Sequence, residues 1–399
     1  MTTKPQATDR KSGKLKFALD FSRARSGGAM AHLKGIIEAS DPDRHGFSEI
    51  HIWSYPAALD TLPKRDWLIT HAPAALGKSV FHQLWWQYRT LHTAVRAAGC
   101  DVLLSPGAAT LSQFTPSVVM SRDMLSFERG EMQRYPLFSK MRLRLWLIKY
   151  LQIAGLRKAD GALFLTEYAA KSIQAYTGPL KMIRTIPHGI SEAFREVGKH
   201  RQIPETRIGH QDGHDISCIY VSPADLYKHQ WNVIRAVGVL RDKGIPVRLK
   251  LIGASLGRGS EKVIAALQDV DPEGHLIEIT GPVANDSIPA ELAKSDIFIF
   301  ASSCENMPNT LIEAMAAKLP IACSDRGPMP EVACDAAAYF DPENIDSIVD
   351  ALSLLIENTN FREQCAKGAF TLAHQYSWER CADETWAYVA EIANVLPEQ

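Results

Sequence analysis

Two glutamates in the second half of the chain stand eight positions apart, in a segment whose pattern suits ligand binding. The segment reads FIFASSCENMPNTLIEAMAAKLPIACSDRGPMPEV. A strand predicted over Asp296–Phe300 leads into a loop that carries Glu305, and a helix predicted to begin near Asn309 carries Glu313. We therefore expect both carboxylates at the carboxyl end of one strand.

The start of this predicted helix offers a site for an anion, and the two glutamates offer acceptors for a diol. The first-turn N–H groups and the helix dipole favour negative charge, and Asn309 or Thr310 is predicted to cap the helix. Because a carboxylate accepts paired hydrogen bonds from vicinal hydroxyls, Glu313 suits a ribose and Glu305 a hexose. The alternative is that both glutamates only complement the positive end of the helix.

Several catalytic motifs are absent from the sequence. There is no G-x-x-x-x-G-K-[ST], no G-x-G-x-x-G after the first predicted strand and no G-x-S-x-G. The absence of these motifs argues against a P-loop enzyme, a nicotinamide dehydrogenase and an α/β-hydrolase, respectively. The spacing D-x-D occurs at Asp41/Asp43 and Asp269/Asp271, but both pairs lie in polar turns and are predicted to be solvated. No metal site is predicted.

Composition and charge exclude further classes of protein. The chain has 399 residues, 46% hydrophobic and 22% charged, with a formal net charge of −1. This balance is ordinary for a globular protein of about two domains, and it disfavours binding of nucleic acid through bulk positive charge. No apolar run approaches the ~18 residues needed to span a bilayer. The N-terminus lacks the apolar core of a secretory signal, and the seven cysteines form no C-x-x-C pair, so we expect buried thiols in the cytoplasm.

Short apolar strands alternate with helices along the whole chain. Strands are predicted at Leu15–Phe21, Glu49–Trp53, Asp66–Ile69, Asp101–Ser105, Ser117–Ser121, Ala159–Leu165, Met182–Ile186, Ile216–Val221, Val247–Ile252, His275–Thr280, Asp296–Phe300, Pro320–Cys323 and Ala338–Phe340. Helices are predicted from Ala29 and at Ser79–Ala98, Lys140–Arg157, Gln230–Asp242, Glu261–Gln268, Asn309–Ala317, Ile345–Asn358, Phe361–Tyr376 and Trp378–Val395. The alternation favours parallel sheets covered by helices on both faces, an α/β fold.

A polar stretch from Gly198 to Asp215 interrupts this alternation. It reads GKHRQIPETRIGHQDGHD and has no hydrophobic period, as is typical of a linker. We predict one domain over residues 1–198, a linker over 199–214, a second domain over 215–378 and a final helix over 379–399. Ligands favour the cleft between two such domains.

The segment with the two glutamates resembles the C-terminal half of the family-4 retaining glycosyltransferases (glycosyl transferases group 1). That family carries the motif E-x7-E, to which Glu305 and Glu313 correspond, and the flanking P-N-T-L-I-E-A-M-A and G-P-M-P-E-V also match. The resemblance extends in family order to Gly27-Gly28, Asp160–Lys171, Pro187-His188-Gly189-Ile190, Tyr220–Gln230 with its lysine Lys228, Ile252-Gly253 and Gly281-Pro282-Val283.

The resemblance implies a GT-B fold, in which two Rossmann-like doubly wound domains face a central cleft and the last helix packs back on the first domain. It implies transfer of a sugar from a nucleotide-sugar donor to the hydroxyl of a saccharide or lipid-linked saccharide acceptor, with retention of configuration and without a metal or cofactor. The implied context is assembly of bacterial surface polysaccharide such as lipopolysaccharide, O-antigen or capsule, in the cytoplasm or at the inner face of the cell membrane.

The resemblance also assigns residues to this site. The catalytic residues are Glu305, Lys228 and Asp123. The donor-binding residues are Gly27, Gly28, Lys228, Gly253, Val283, Glu305, Asn309, Thr310, Leu311, Glu313 and Arg326.

Two departures from the family pattern bear on this assignment. The family usually places an Arg five positions before the lysine, where this chain has Pro223. Arg326, in the loop after the Pro320–Cys323 strand, is then the predicted substitute cation. Many members place a His or Asn at the end of an N-domain strand, and in the matching stretch VVMSRDMLSFE the nearest candidate is Asp123, whose alternative role is a turn or cap.

Three histidines near these motifs receive separate predictions. His229, beside Lys228, either adds a phosphate contact or, as we favour, begins a helix in solvent. His32 is predicted to pack in the first domain rather than to bind a ligand. His188, at the domain junction, either faces the cleft or packs.

A basic stretch in the first domain suggests a membrane contact. Between Arg129 and Lys158 there are eight basic residues and one acidic residue, Glu131, with Trp146, Leu147, Tyr150 and Leu151 interleaved. Such a stretch either rests on anionic lipid or forms a domain helix with a solvated basic face.

Two rivals to the glycosyltransferase interpretation share its fold. A nucleotide-sugar epimerase would bind the same donor, and a non-catalytic relative would act as a partner subunit. A phosphorylase would need a lysine in a pyridoxal phosphate setting, which the sequence does not show.

Overall fold

A computed structural model describes residues 14–23, 28–203, 215–253 and 257–394 of the chain. Gly27 and residues 204–214 of the predicted linker lie outside this described part. Within it, the chain forms two parallel sheets with helices on both sides of each.

The first sheet has seven strands in the order β3-β2-β1-β4-β5-β6-β7, and every neighbouring pair is parallel. The strands are β1 (Leu15–Asp20), β2 (Phe47–Trp53), β3 (Leu68–His71), β4 (Val102–Ser105), β5 (Ser117–Met120), β6 (Gly161–Phe164) and β7 (Ile183–Thr185). The order reverses between β1 and β4, and this reversal opens a crevice at the carboxyl ends of the strands.

The second sheet has six strands in the order β10-β9-β8-β11-β12-β13, also parallel throughout. The strands are β8 (Ile216–Val221), β9 (Val247–Ile252), β10 (Ile277–Thr280), β11 (Ile297–Phe300), β12 (Ile321–Ser324) and β13 (Ala338–Phe340). Its order reverses between β8 and β11, so this sheet opens a second crevice at its carboxyl edge. Every strand predicted from the alternating pattern is present in one of the two sheets.

Fifteen α-helices lie in the described part of the chain. They are α1 (Gly28–Glu38), α2 (Pro56–Leu59), α3 (Val80–Arg89), α4 (Leu91–Ala97), α5 (Lys140–Lys158), α6 (Glu167–Thr177), α7 (Glu192–His200), α8 (Gln230–Asp242), α9 (Ser260–Val270), α10 (Ile288–Ala293), α11 (Asn309–Ala316), α12 (Met329–Ala333), α13 (Ile345–Glu357), α14 (Thr359–Ala373) and α15 (Trp378–Asn394). The single helix predicted over Ser79–Ala98 is wrong, because the chain forms α3 and α4 with a break at Thr90. Helix α7 extends to His200, two residues into the predicted linker.

The last helix, α15, packs on the first sheet. The Trp386 indole donates to Ser40 Oγ at 2.8 Å and meets the ring of Phe17 edge-on at 5.0 Å. Tyr388 donates to the Met182 carbonyl at 3.1 Å. A Cβ on Gly189 would lie 2.3 Å from the Trp378 nitrogen, so only glycine allows this approach of the chain to the start of α15.

Two further features agree with the composition. Six of the seven cysteines are buried free thiols, and Cys334 is exposed. Across the described residues, the helices are too short or too polar to cross a bilayer.

Candidate active site

The predicted site residues in the described part of the chain follow the carboxyl ends of strands or begin the helices that come after them. Lys228 and Glu305 follow β8 and β11, the central strands of the second sheet, and Asp123 follows β5 of the first sheet. Gly253 and Val283 follow β9 and β10. The carboxyl edge of a doubly wound sheet is where such folds bind ligands.

Lys228 and Glu305 form a largely buried ion pair. The Lys228 ammonium donates to Glu305 Oε1, and the two side chains are 9% and 15% exposed. The ammonium also lies 5.1 Å and 5.2 Å from the ring centres of Tyr227 and Phe300. Tyr220 holds the backbone in place by donating its hydroxyl to the Lys228 carbonyl at 2.9 Å. Since an ammonium has three donors, pairing with Glu305 leaves two for another anion.

His229 is buried, so the expectation of a helix start in solvent is wrong. It precedes α8 with a left-handed φ of +47°. Its Nε2 lies 3.0 Å from Ser303 Oγ, and Ser303 donates to Glu131 Oε1 at 2.6 Å. Burial lowers the pKa of His229 to about 4, so the imidazole is neutral at pH 7. The neutral ring contributes no charge to a phosphate site; it contacts Ser303, whose hydroxyl joins the second domain to Glu131 of the first.

Helix α11 begins at Asn309 without a side-chain cap. Pro308 occupies the capping position, so the prediction that Asn309 or Thr310 caps this helix is wrong. Leu311 is fully buried, and its amide donates to the Pro308 carbonyl at 3.0 Å. Leu311 therefore supports the helix, whereas Asn309 and Thr310 stand at its open end.

Glu313, also on α11, is partly buried, and among the described residues its carboxylate has no hydrogen-bond partner. Burial raises its pKa to about 8 from the usual 4.5, because water solvates the anion poorly there. A diol that donates two hydrogen bonds favours the charged form and lowers this pKa again. A diol bound by Glu313 would therefore cause the carboxyl group to release a proton.

The raised pKa predicts a pH-dependent effect of Glu313→Gln. The native protein loses stability as the pH rises from about 4.5 to about 8, by about 1.4 kcal/mol for each pH unit, and the loss is complete above pH 8. We expect Glu313→Gln to match wild type at pH 4.5 and to exceed its free energy of unfolding by up to a few kcal/mol at pH 8.5, in urea titrations. Glu291→Gln, at a carboxylate paired with Lys250 at 2.6 Å, is the control. Identical stability profiles for Glu313→Gln and wild type would contradict the burial of Glu313.

A pocket of about 510 Å³ opens at the carboxyl edge of the first sheet. Its polar lining includes Asp20 at the end of β1, Gln87 of α3 and Gln152 of α5. Four arginines line it as well: Arg23, Arg122, Arg144 and Arg258. Arg258 comes from the second sheet domain, so the pocket lies between the two domains.

The carboxylates of this pocket already hold protein donors. Asp20 accepts hydrogen bonds from Ser22, Gln87 and Ser105. Asp123 accepts from the Leu125 amide at 3.3 Å, from Ser126 Oγ at 3.1 Å and from Gln152 Nε2 at 3.0 Å. Asp123 thus orders a turn and also lines the pocket, so its two predicted roles coexist in the structure. The four arginines give the pocket an excess of positive charge.

Arg326 lies outside this pocket. It donates to Asp325 at 3.2 Å and to Asp341 at 2.9 Å, and it lines a second pocket of about 490 Å³ with Glu128 and Glu343. For Arg326 to act as the predicted substitute cation, a bound anion would have to compete with the two carboxylates that already hold its guanidinium.

One group of side chains of the metal-ligand type occurs in the described part of the chain. His32, His188 and Cys381 are buried, with one ligand atom of each within 4.8 Å of the others. Burial and the charge of Arg122 lower the pKa of His188 to about 3, and they also lower the pKa of His32. The positive charge of Arg122, which acts on both imidazoles, also disfavours a bound cation. Both rings pack against Trp378. We interpret the group as packing, as predicted for His32.

Sequence reasoning missed Asp20, Gln87 and Arg122. Asp20 carried a signal, since it is a charged residue at the end of an otherwise apolar buried strand. Arg122 stands one position before Asp123 in the stretch that already held a candidate. Gln87 carried none, because a glutamine on a helix is common.

The last glutamate of the segment, Glu331, joins the two domains. Its carboxylate accepts the amides of Glu167 and Tyr168, at 2.8 Å and 2.7 Å, at the start of α6 in the first domain. Thr166 adds a bond to the Asn306 carbonyl at 2.9 Å. A negative charge at a helix N-terminus is favourable, so these contacts hold the Glu305 loop against the first domain.

The fold is GT-B, as comparison with solved structures shows. The chain superposes on sucrose-phosphate synthase from Thermosynechococcus elongatus with a TM-score of 0.73 at 15% identity, over 93% of this chain and 97% of that one. It superposes on HepE from Anabaena, solved with UDP and glucose, with a TM-score of 0.67 at 16% identity, over 94% and 100%. At these identities the likeness establishes the fold alone.

Residues 205–371 match the model of the family described as glycosyl transferases group 1. This part of the chain contains the E-x7-E segment, and the match agrees with the resemblance that the motifs show.

Curated relatives match over shorter stretches. O-antigen chain mannosyltransferase B of Escherichia coli is 29% identical over 109 residues, which are 27% of this chain and 29% of that protein. A GDP-mannose-dependent α-(1-6)-phosphatidylinositol monomannoside mannosyltransferase of Mycobacterium tuberculosis is 24% identical over 234 residues, 56% of this chain and 60% of that protein. The chain thus spans less than two thirds of the length of these relatives.

Proposed function

We propose that the protein is a retaining glycosyltransferase, which moves a sugar from a nucleotide-sugar donor to an acceptor hydroxyl. The observation that carries this proposal is the largely buried Lys228–Glu305 pair at the carboxyl edge of the second sheet, where the loop with Glu305 leads into α11, the helix that carries Glu313. A fixed cation, a carboxylate paired with it and a second, unpaired carboxylate are the groups that a diphosphate, a hexose and a ribose require.

Each of these residues has a role that follows from its charge and position. Lys228 meets the negative charge that develops on the departing nucleoside diphosphate, and the positive end of the α11 dipole adds to this stabilisation. Glu305 accepts hydrogen bonds from the hydroxyls of the transferred sugar, and Glu313 accepts those of the ribose. An oxygen of the leaving phosphate serves as the base for the acceptor, because Asp123 is occupied by three protein donors.

The functions of the relatives support a context in surface polysaccharide assembly. One relative is an O-antigen mannosyltransferase, and another is a putative teichuronic acid biosynthesis glycosyltransferase of Bacillus subtilis, which is 26% identical over 119 residues. We place the reaction in the cytoplasm, where nucleotide sugars are the donors, with a saccharide or a lipid-linked saccharide as acceptor.

Donor binding provides the first test of this function. A ligand at about 100 times its Kd stabilises the native state by roughly 2.7 kcal/mol, so a nucleotide sugar that binds raises the melting temperature. We expect one of GDP-mannose, UDP-glucose and UDP-N-acetylglucosamine to do so in wild type and to do so less in Glu313→Gln. An epimerase would also bind the donor, but it would convert the nucleotide sugar without an acceptor, whereas a non-catalytic subunit would leave it unchanged.

The chemistry of the pocket predicts activity without a metal ion. Asp20 and Asp123 already accept hydrogen bonds from protein donors, and Glu305 is paired with Lys228. In the D-x-D pair at residues 269 and 271, Asp271 accepts three backbone amides. We expect turnover to survive EDTA within a factor of about two. Complete loss with EDTA, restored by Mg²⁺ or Mn²⁺, would contradict a diphosphate held by Lys228 and backbone amides.

The surface around the pocket suits contact with a membrane. Two helices that line the pocket, α3 and α5, expose large apolar side chains on their outer faces. These are Val80, Phe81, Trp85 and Tyr88 of α3, and Leu143, Trp146, Leu147 and Tyr150 of α5, with Leu137 and Phe138 before α5. Phe138 is 95% exposed. We call these ten residues the apolar rim. Exposed aromatic side chains beside a pocket are typical of a surface that meets lipid.

The basic residues contribute less to this surface than the sequence suggests. Arg134 is paired with Glu131 and Glu343, and Arg157 donates to two carbonyls at the end of α6. Lys149 lies 3.4 Å from the centre of the Tyr176 ring. Lys140, Arg142 and Arg144 belong to α5, the helix that carries part of the apolar rim, and Arg144 also lines the pocket. The proposed membrane contact therefore combines an apolar anchor with a smaller positive charge.

Vesicle co-sedimentation tests the apolar rim. We expect wild type to bind vesicles that contain anionic lipid more tightly than neutral vesicles, because the apolar anchor and the attraction of basic residues to the lipid charge both act there. The double variant Trp85→Ser/Trp146→Ser should lose most of the binding to either kind. Ile264→Ser, at a 54% exposed residue of the second domain, is the control. Absence of wild-type binding to both kinds of vesicle would contradict the membrane contact.

A further inference from the structure

Arg122 meets two helix N-termini at one point of the cleft. A Cβ placed on Gly28, the first residue of α1, would lie 3.5 Å from Arg122 Nη2 and 3.6 Å from Asn309 Nδ2. Asn309 is the first residue of α11. Both helix dipoles present their positive ends here, although the Asn309 and Leu311 amides of α11 already donate to the Met307 and Pro308 carbonyls. The guanidinium and the two helix ends thus concentrate positive charge at one place.

None of the described residues neutralises the guanidinium of Arg122. In the described part of the chain it makes no ion pair and no hydrogen bond, and its Nε is fully buried without a partner. Burial alone lowers its pKa to about 10, with no carboxylate to oppose the shift. A buried cation is normally paired, because leaving water is costly for a charge. Arg122 is therefore prepared to bind an anion that enters the pocket it lines.

We propose that Arg122 binds the diphosphate of the nucleotide-sugar donor and supplies the positive charge that Pro223 cannot. This inference rests on the proposed function. The family usually places an Arg five positions before the lysine, and in this chain that charge comes instead from the loop after β5 of the opposite domain. Arg122 and Lys228 then contact the diphosphate from the two sides of the cleft.

Two alternatives fit the structure less well. Arg326 is held by Asp325 and Asp341, so an anion would have to displace two carboxylates. A phosphate on the acceptor is a second source of the same chemistry, and Arg23 and Arg144 line the pocket where an acceptor would lie. Arg122 differs from those two in meeting Gly28 and Asn309, which belong to the predicted donor site.

Calorimetric titration with UDP and GDP tests this role. We expect Arg122→Gln to weaken binding of whichever nucleoside diphosphate wild type binds by about tenfold or more, as for loss of a bond between charged groups. Binding of the corresponding nucleoside, followed by ligand NMR, should change less than about twofold, because the nucleoside has no phosphate. Arg122→Lys should recover part of the affinity, because it keeps the charge but not the planar fork.

A stability measurement separates this role from a structural one. Removal of an unpaired buried charge should leave the melting temperature of Arg122→Gln unchanged or raise it, whereas loss of a structural arginine lowers it. Arg235→Gln, at a surface arginine near Asp269, controls for net charge.

Three outcomes would overturn the inference. The first is unchanged affinity of Arg122→Gln for the nucleoside diphosphate, including the case in which only the KM for an acceptor rises. The second is loss of that affinity in Arg326→Gln instead. The third is parallel loss of nucleoside binding and stability in Arg122→Gln. If wild type binds neither UDP nor GDP, the proposed function itself fails, and this inference fails with it.

Discussion

Lys228→Ala should lower kcat by about 10²-fold or more. In the proposed reaction, the departing diphosphate develops negative charge in a partly dry cleft, where charges interact more strongly than in water. Loss of one fixed donor to such a charge costs about this much. Pro223 supplies neither charge nor a backbone N–H at the position where the family has an arginine. Lys228→Arg should recover only part of the rate, because a planar fork does not replace a compact ammonium.

The ion pair requires a control for folding. Lys228→Ala leaves Glu305 without its partner, and an unpaired buried charge can destabilise the protein by about 3–5 kcal/mol. The double variant Lys228→Ala/Glu305→Gln removes both charges, so we expect it to regain stability but not turnover. Lys250→Ala breaks a comparable pair with Glu291 away from the site and should leave kcat unchanged. Normal turnover of Lys228→Ala, with Arg326→Ala inactive, would assign the charge to Arg326.

Glu305→Gln should affect turnover more than donor binding. The carboxylate holds the Lys228 ammonium and, in our proposal, orients the sugar whose positive charge grows in the transition state. A neutral amide keeps the shape and loses the charge, so kcat should fall by roughly tenfold or more, while the Kd of the donor changes by less. Steady-state kinetics together with calorimetric titration of the donor measure both quantities.

A matched variant tests whether the effect of Glu305→Gln depends on the position of Glu305 in the cleft. Glu291→Gln removes a carboxylate that is also paired with a lysine, outside the cleft, and should leave both quantities unchanged. Near-normal kcat in both Glu305→Gln and Glu313→Gln would mean that the E-x7-E segment does not carry the chemistry.

The architecture could be predicted from the sequence because its signals are local. All thirteen strands of the two sheets follow from short apolar runs, such as Val247–Ile252, between helical patterns. The break of the predicted Ser79–Ala98 helix at Thr90 could not be predicted, since no proline or glycine marks it. The start of α11 was predicted correctly, but its cap was not, because Pro308 takes the capping position that Asn309 was expected to fill.

The charges of the site were only partly predictable. The motifs indicate Lys228 and Glu305, but not that they pair, because that contact depends on the side chains of two different loops. His229 was predicted to begin a helix in solvent, but it is buried. It contacts Ser303, which in turn donates to Glu131 of the other domain. Arg122 became a candidate only because the structure places it beside Gly28 and Asn309, which are distant from it in the sequence. Contacts of this kind require the three-dimensional structure.

The most direct test of the central claim is a transfer assay in which both substrates are supplied. Wild type is incubated with the nucleotide sugar that stabilises it most and with a panel of octyl glycosides as acceptors, and products are followed by mass spectrometry and by the anomeric proton signals in NMR. We predict a new glycoside with the anomeric configuration of the donor, formed only when donor and acceptor are both present, and reduced by about 10²-fold in Lys228→Ala. Conversion of the nucleotide sugar to an epimer without an acceptor, or a product of inverted configuration, would contradict a retaining glycosyltransferase.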